Sequence, residues 1–219
     1  VQIIKSGEIG IPRHVSACYY QSWLASNKWG EWREEDKWLW RLSTKHGSNG
    51  ALGDTGVHIF DFAVNAVGDI KEIFADLKTY YDKGKKIKNY ILDANDGFNS
   101  LVRFKNGAIG TITNSRFATG HANSLILEVF CTKGGVKVEL DEERTQWSTL
   151  HICQKEKINE ISWDIIKCPK TPSNYQNFIK SIESKNNLQP DFTQGAKIQK
   201  IIDSCIKSND NNSWIDINI

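Results

Sequence analysis

Residues 98–116 read FNSLVRFKNGAIGTITNSR, and this stretch decides the fold class. Two apolar runs flank the turn residues Lys105, Asn106 and Gly107. An Asn-Gly pair between two such runs is a strong local signal for a β-hairpin. Residues 98–104 and 108–116 are therefore predicted to be neighbouring antiparallel strands.

The same pattern continues on both sides of this hairpin. Residues 124–130 and 136–140 flank a second predicted turn, Lys133-Gly134-Gly135. Val136, Val138 and Leu140 alternate with polar residues as on a half-buried antiparallel strand. Further strands are predicted at residues 13–23, 70–81, 147–153, 159–166 and 214–217. Helices are predicted at residues 1–6, 51–67, 173–184 and 193–208. The segment between residues 23 and 50 is predicted to be a tryptophan-rich loop.

This order of elements predicts an α+β fold, with an open, mostly antiparallel β-sheet and helices on one face. The sequence contains no G-x-G-x-x-G after a strand and no P-loop. These 219 residues are therefore not expected to form a doubly wound nucleotide-binding domain.

The composition is that of a soluble globular chain, with 39% apolar and 25% charged residues and a net charge of +2. Such a balance favours neither nucleic acid nor membrane as a partner. The five cysteines lack a C-x-x-C spacing, and the first residues lack the apolar stretch of a signal peptide, so reduced thiols and a cytoplasmic location are predicted. The absence of methionine is unusual at this length and fits a fragment or a processed chain.

A polar stripe on the predicted helix at 51–67 is the first candidate site. At about 100° per residue, Asp54, His58, Asp61 and Asn65 lie within about 60° of one another on an otherwise apolar helix. A histidine with a carboxylate one turn away suits proton transfer near neutral pH. The alternative, which the D-x-x-x-H spacing taken alone favours, is a helix cap at Asp54 and a partly buried, hydrogen-bonded His58.

Aromatic crowding marks a second candidate. Five tryptophans fall between residues 23 and 40, interleaved with Arg33 and Arg41. Flat indole faces beside hydrogen-bonding groups suit a sugar ring or a nicotinamide, although composition alone favours packing of a long loop over the sheet. No metal site is predicted, because Asp54, His58, His121 and the cysteines show no recognised ligand spacing beyond one i, i+4 pair.

Several blocks of sequence resemble the carboxyl-terminal domain of the Gfo/Idh/MocA oxidoreductases, the glucose-fructose oxidoreductase and inositol dehydrogenase family. The blocks, in order, are SGEIGIPRHVSACYYQSWL, WLWR, GALGDTGVHIFDFAVNAVGD, VRFKNGAIGTITNS, EVFCTKGGVKVEL, and PDFTQGAKIQKIIDSCIKS followed by SWIDI. Cys131 stands where the family usually has glycine. The resemblance implies the dihydrodipicolinate-reductase-like fold of these domains.

The resemblance also implies site residues. Asp54 and His58 match the family's active-site D-x-x-x-H, in which the histidine exchanges the proton of a substrate hydroxyl while a nicotinamide takes or gives the hydride. The aspartate would orient the ring or hold a neighbouring hydroxyl. Candidate contacts with substrate or nicotinamide are Tyr20, Trp23, Trp40 and Arg41. Asp61 is interpreted as a structural partner only.

The family's amino-terminal Rossmann domain, with its glycine-rich loop and its Glu-Lys-Pro lysine, has no counterpart in these residues. The resemblance therefore implies that residues 1–219 are the substrate-binding and oligomerising part of an NAD- or NADP-dependent oxidoreductase acting on a sugar, a polyol or a related compound. This part is expected to be inactive alone, to hold no cofactor by itself, and to form a homodimer or homotetramer through its sheet. The alternative is a non-catalytic carbohydrate-binding or scaffold domain of the same fold.

Overall fold

The computed structural model describes residues 1–141, 148–168 and 171–218. Within them, nine strands form one sheet in the order β10-β9-β8-β7-β1-β6-β5-β2-β11, and β3 and β4 form a separate two-stranded hairpin. The strands are β1 (Pro12–Gln21), β2 (Ile70–Lys78), β3 (Lys86–Ile87), β4 (Tyr90–Ile91), β5 (Gly97–Phe104), β6 (Ile109–Ser115), β7 (Asn123–Cys131), β8 (Gly134–Asp141), β9 (Thr149–Gln154), β10 (Asp164–Lys167) and β11 (Ile215–Asp216).

Both predicted hairpins are present in this sheet, although the second turn lies at Thr132 and Lys133, since Gly134 and Gly135 belong to β8. Arg103 of β5 pairs with Ile109 of β6, and Gly107 between them has a φ of 88°, which favours glycine. Strands β7 and β8 pair in the same antiparallel way. Only β1 departs from this pattern within the described sheet, because it runs parallel to β6 while it pairs antiparallel with β7. The predicted open, mostly antiparallel sheet is confirmed.

Helices α3 and α6 lie against one face of the sheet, as predicted. The helices are α1 (Gln2–Lys5), α2 (Asp36–Leu39), α3 (Val57–Val67), α4 (Glu156–Glu160), α5 (Asn174–Ser184) and α6 (Phe192–Asn211). Helices α3 and α6 bury Phe60, Ile201 and Ile202 against sheet residues that include Val102 and Ile112. No helix in the described part of the chain is long and apolar enough to cross a membrane.

The strand predicted at residues 159–166 is wrong in its first half. Residues 156–160 form helix α4, in which Lys157 and Glu160 are ion-paired at 2.8 Å one turn apart. Ile161, with a φ of 53°, ends this helix, and strand β10 begins only at Asp164. Ile161, Trp163 and Ile165 alternate with polar residues as on a strand, but the chain turns at Ile161. Residue 147 of the predicted strand 147–153 lies outside the described residues.

The tryptophan-rich segment forms a second, smaller core beside the sheet. We call this the tryptophan cluster; its buried members are Trp23, Leu24, Trp32, Leu39, Leu42 and Leu92. Trp32 lies edge-on to Trp23 and to Tyr81, with ring centroids 6.4 and 5.1 Å apart. The segment is thus mainly a packed loop, which is the interpretation that composition favours.

Candidate active site

Asp54 lies in a π-helical turn, Leu52–Gly56, that leads into α3. The predicted continuous α-helix over residues 51–67 is therefore wrong in its first turn. Asn95 secures this entry, because its main-chain oxygen accepts from Ala51 N at 2.8 Å and its Oδ1 accepts from Leu52 N at 2.9 Å. Single π-turns inside helices are often found at functional sites.

The π-turn changes the predicted polar stripe. A π-turn contains more residues than an α-turn, so the rotation from Asp54 to His58 is not the 100° per residue that the stripe assumes. Asp61 Oδ1 accepts from Asn65 Nδ2 at 2.9 Å and from Gln194 Nε2 of α6 at 2.8 Å. Asp61 thus joins α3 to α6, and Asn65 supports it from within α3. Asp54 is bound by arginines at the other end of the stripe.

His58 is the exposed member of the stripe and the second residue of α3. Its ring lies 6.2 Å from the ring of Tyr19, measured between centroids. No hydrogen bond to the imidazole is found among the described residues, and none joins it to Asp54. The ring is therefore accessible to a ligand from solvent.

Two arginines hold the Asp54 carboxylate. Arg116 Nη2 donates to Asp54 Oδ2 at 2.8 Å, and Arg41 Nε lies 3.6 Å from the same oxygen. About a third of the Asp54 side chain is exposed, so the carboxylate lies at the rim of the interior. A buried guanidinium paired with a carboxylate is a geometrically specific contact, because the planar donor group fixes the acceptor in its plane.

Arg116 is a site residue that the sequence analysis missed. It directly follows β6, and its side chain is completely buried. Burial lowers the pKa of its guanidinium to about 10, and the charge of Asp54 and the hydrogen bond to it oppose this shift. Arg116 therefore keeps its positive charge at neutral pH.

Asp96 is a buried carboxyl near Arg116. Its Oδ2 accepts from the main-chain nitrogens of Tyr80 and Tyr81 at 2.8 and 2.9 Å, and its main-chain oxygen accepts from Arg116 N at 3.0 Å. Burial raises the pKa of Asp96 to about 6, against the hydrogen bond from Tyr80 and the charge of Arg116, which both lower it. We refer to Arg41, Asp54, Asp96 and Arg116 as the arginine-carboxylate cluster.

The Asp96 carboxyl should give the chain a measurable pH dependence of stability. Its pKa is raised on folding from about 3.8, so its contribution is complete below about pH 4 and is lost as the pH rises through 6. Asp96→Asn cannot titrate. The free energy of unfolding of the wild type relative to this variant should therefore fall by on the order of 2 kcal/mol between pH 4 and pH 7. Urea titrations at both pH values measure this difference, and parallel curves for the two proteins would contradict it.

Trp23 and Trp40, both predicted ligand contacts, are placed differently by the structure. Trp23 is buried, with Trp38 stacked at 5.2 Å and the Arg116 guanidinium 4.9 Å from its ring centroid. Its ring packs on the Arg116 guanidinium and so supports Arg116, while its direct contact with a ligand stays a prediction. Trp40 is 40% exposed, and the Arg41 guanidinium lies 4.7 Å from its ring centroid. Trp40 and Arg41 thus present an aromatic and a cationic surface beside Asp54.

Tyr20 is separated from the other candidates. Its hydroxyl lies 3.4 Å from Thr113 Oγ1, and its ring is 5.3 Å from that of His121. Adjacent Tyr19 points to the face that carries α3 and His58, and side chains alternate along a strand. Tyr20 therefore points to the opposite face of the sheet from Asp54 and His58.

Among the described residues, no group of three His, Cys, Asp or Glu side chains is arranged to hold a metal ion.

Comparison with known proteins agrees with this architecture. Levoglucosan dehydrogenase from Pseudarthrobacter phenanthrenivorans is 23% identical to the chain over 250 residues, which cover 98% of the chain and 62% of that enzyme. A structure of levoglucosan dehydrogenase in complex with NADH and levoglucosan superimposes with a TM-score of 0.82 at 23% identity, over 99% of the chain and 61% of that structure. An oxidoreductase domain protein from Kribbella flavida gives a TM-score of 0.81 at 25% identity, over 100% of the chain and 61% of that protein.

The chain therefore spans about three fifths of the length of these relatives. Residues 1–137 match the family described as the GFO/IDH/MocA C-terminal domain. This match covers more than half of the chain, and the sheet, the helix carrying Asp54 and His58, and both predicted hairpins lie wholly or partly within it. The chain belongs to the Gfo/Idh/MocA family and corresponds to its C-terminal domain.

Proposed function

We propose that this chain is the substrate-binding part of an NAD- or NADP-dependent oxidoreductase that acts on a hydroxyl or carbonyl group of a sugar, a polyol or a related compound. The observation that carries the proposal is the exposed His58 imidazole on the same helical segment as Asp54, whose carboxylate two arginines hold at the rim. The family relationship and the levoglucosan dehydrogenase relative support the same substrate class. The domain assignment follows: residues 1–219 bind substrate and oligomerise, and a separate amino-terminal domain binds the dinucleotide.

In this proposal His58 carries the proton of the reaction. Its imidazole accepts the proton of the substrate hydroxyl when the hydroxyl is oxidised, and returns it when the carbonyl is reduced. Asp54 Oδ2 is engaged by arginines, so Oδ1 is the oxygen available to accept from a second substrate hydroxyl. Arg41 and Trp40 border the same position and offer a hydrogen-bond donor and an apolar surface for a sugar ring.

The amino terminus of the helical segment that carries Asp54 does not fit the pyrophosphate of a dinucleotide. Such a group requires open main-chain N–H groups at a helix amino terminus. The N–H groups of Ala51 and Leu52, where the helical segment begins, already donate to Asn95. We therefore place the nicotinamide cofactor, which would supply the hydride chemistry, mainly on the amino-terminal domain.

We expect the 219-residue chain alone to bind neither NAD nor NADP with useful affinity. Isothermal titration calorimetry with each dinucleotide tests this expectation directly. A dissociation constant in the micromolar range for either one would overturn the division of roles between the two domains.

We also propose that the chain forms a homodimer or homotetramer through the open face of its sheet. Leu101, Ile109 and Phe130 on that face are 48%, 52% and 42% exposed, and His14 pairs with both Ile109 and Phe130. An uncovered sheet face with exposed apolar residues favours a partner subunit. Light scattering coupled to size-exclusion chromatography should show a dimer or tetramer, and Phe130→Lys should shift it towards the monomer. A wild-type protein that stays monomeric at high concentration would contradict the proposal.

The alternative, a non-catalytic carbohydrate-binding or scaffold domain, is favoured by one observation. The Asp54 carboxylate is engaged in ion pairs, as in a purely structural role. An assay separates the two functions: the full-length protein that carries this domain is mixed with NAD or NADP and a panel including levoglucosan and L-sorbose, and absorbance of the reduced nicotinamide is followed. Turnover supports the oxidoreductase, and sugar binding without turnover supports the alternative.

The cytoplasmic location stays a prediction.

A further inference from the structure

Arg116 connects three separate parts of the chain with one buried side chain. Nη2 donates to Asp54 of the π-turn at 2.8 Å, and Nη1 donates to the main-chain oxygen of Arg41 at 3.2 Å. The guanidinium lies over the ring of Trp23, in the tryptophan cluster. Nη1, Nη2 and the flat face of the guanidinium make one contact each. The π-turn, the segment at Arg41 and the tryptophan cluster are therefore all held by the same side chain.

The main chain of Arg116 is itself fixed. Its nitrogen donates to the main-chain oxygen of Asp96 at 3.0 Å, and its oxygen accepts from Leu24 N at 3.4 Å. An arginine held at both its main chain and its guanidinium has little rotational freedom. The groups that it contacts are therefore held in a fixed position relative to the end of β6.

The buried charge of Arg116 requires acceptors and negative charges around it. A completely buried guanidinium is costly unless carboxylates and hydrogen-bond acceptors surround it. Asp54 and Asp96 supply the negative charges, and Arg41 adds a second positive charge near Asp54. Arg116 Nε is buried without a hydrogen-bond partner among the described residues, so the contacts of Nη1 and Nη2 carry the pairing.

We propose that Arg116 is a positioning residue of the reaction, which holds Asp54 and Arg41 in one arrangement so that a substrate hydroxyl reaches His58 in a single orientation. This inference rests on the proposed function. Arg116 itself touches no substrate, since its side chain is completely buried. It acts through the two rim residues that it contacts.

Kinetics of the full-length enzyme test the positioning. Arg116→Met removes the charge and both donors while keeping a side chain of similar length, and kcat should fall by about 10²-fold at a temperature well below its melting point. Arg116→Lys keeps the charge but cannot make both contacts at once, so its kcat should lie between those of Arg116→Met and the wild type. Arg33→Met is the matched control. Arg33 stacks on Trp32 at 4.4 Å and pairs with Glu31, and no contact joins it to Asp54.

A folded Arg116→Met enzyme with wild-type kcat and KM would overturn the inference. If Arg116→Met does not fold, Arg116→Lys decides: a reduced kcat supports positioning, and an unchanged kcat overturns it. An equal loss of kcat in Arg33→Met would assign the effect to the tryptophan cluster as a whole and would likewise overturn the inference.

The pairing is also tested without substrate, by thermal unfolding of Arg116→Met, Asp54→Asn and the double variant. Each single variant leaves one partner without its counterpart, so each should lower the melting temperature by roughly 10 °C. The double variant should melt higher than the sum of the two losses predicts. Strict additivity would show that Arg116 does not hold Asp54. If the wild-type enzyme turns over no sugar, the proposed function fails, while this cycle still decides whether Arg116 holds the carboxylate.

Discussion

His58→Ala is expected to lower the turnover of the full-length enzyme by about 10² to 10⁴, the usual contribution of a positioned proton-transfer group. The expectation follows from the exposed imidazole one turn beyond Asp54. The fold should survive, because an exposed side chain leaves no cavity in the core when it is truncated. Steady-state kinetics and a thermal melt of the same preparation measure both quantities.

A matched control and a pH profile sharpen this experiment. His14 is also an exposed histidine, but it lies on the open face of the sheet, and His14→Ala should keep wild-type turnover. If His58 exchanges the proton of the reaction, the pH dependence of the wild-type rate should change in His58→Ala. If His58→Ala retains near-normal turnover but melts much earlier, His58 is structural and the active-site assignment must be withdrawn.

Trp32→Ala is expected to destabilise the chain by about 3 to 5 kcal/mol, as large-to-small changes at buried aromatic residues do. Trp32 is 2% exposed and packs between Trp23, Tyr81 and the Arg33 guanidinium. Its loss would leave a cavity in the middle of the tryptophan cluster. Because Trp23 supports Arg116, we also expect weaker sugar binding by the full-length enzyme.

Trp40→Ala is the control for that change. Trp40 is partly exposed at the rim, so its removal should cost less than about 1 kcal/mol of stability while it weakens sugar binding. Urea unfolding followed by circular dichroism gives the two free energies. Equal losses in Trp32→Ala and Trp40→Ala would contradict the assignment of the cluster as a second core.

Local signals in the sequence were sufficient for most of the sheet. The Asn106-Gly107 pair specifies its hairpin because the turn geometry is fixed by the residues within it. Helix α4 was missed because Ile161, Trp163 and Ile165 directly after it alternate with polar residues, as on a strand. The choice there depends on the turn at Ile161, whose positive φ is unusual for a branched residue.

The candidate site was only partly accessible to sequence reasoning. Asp54 and His58 share one helical segment, so a short motif could reveal them. Arg116 lies 62 residues from Asp54, and no local pattern links them. The completely buried guanidinium was hidden because arginine is among the residues most often found at the surface. An arginine directly after an alternating strand, within the segment TITNSRF, is the signal that could have identified it.

The central position of β1 has a consequence for how the chain folds. Residues 12–21 occupy the middle of the sheet, yet their neighbours β6 and β7 are synthesised about a hundred residues later. The β5–β6 hairpin joins strands that are neighbours in sequence and can form early. Strand β1 can pair only after β6 and β7, which are distant in sequence, have formed. Such non-local pairing raises the contact order and slows folding. We expect β1 to be the last central strand protected from amide hydrogen exchange during refolding, after the hairpins on either side of it.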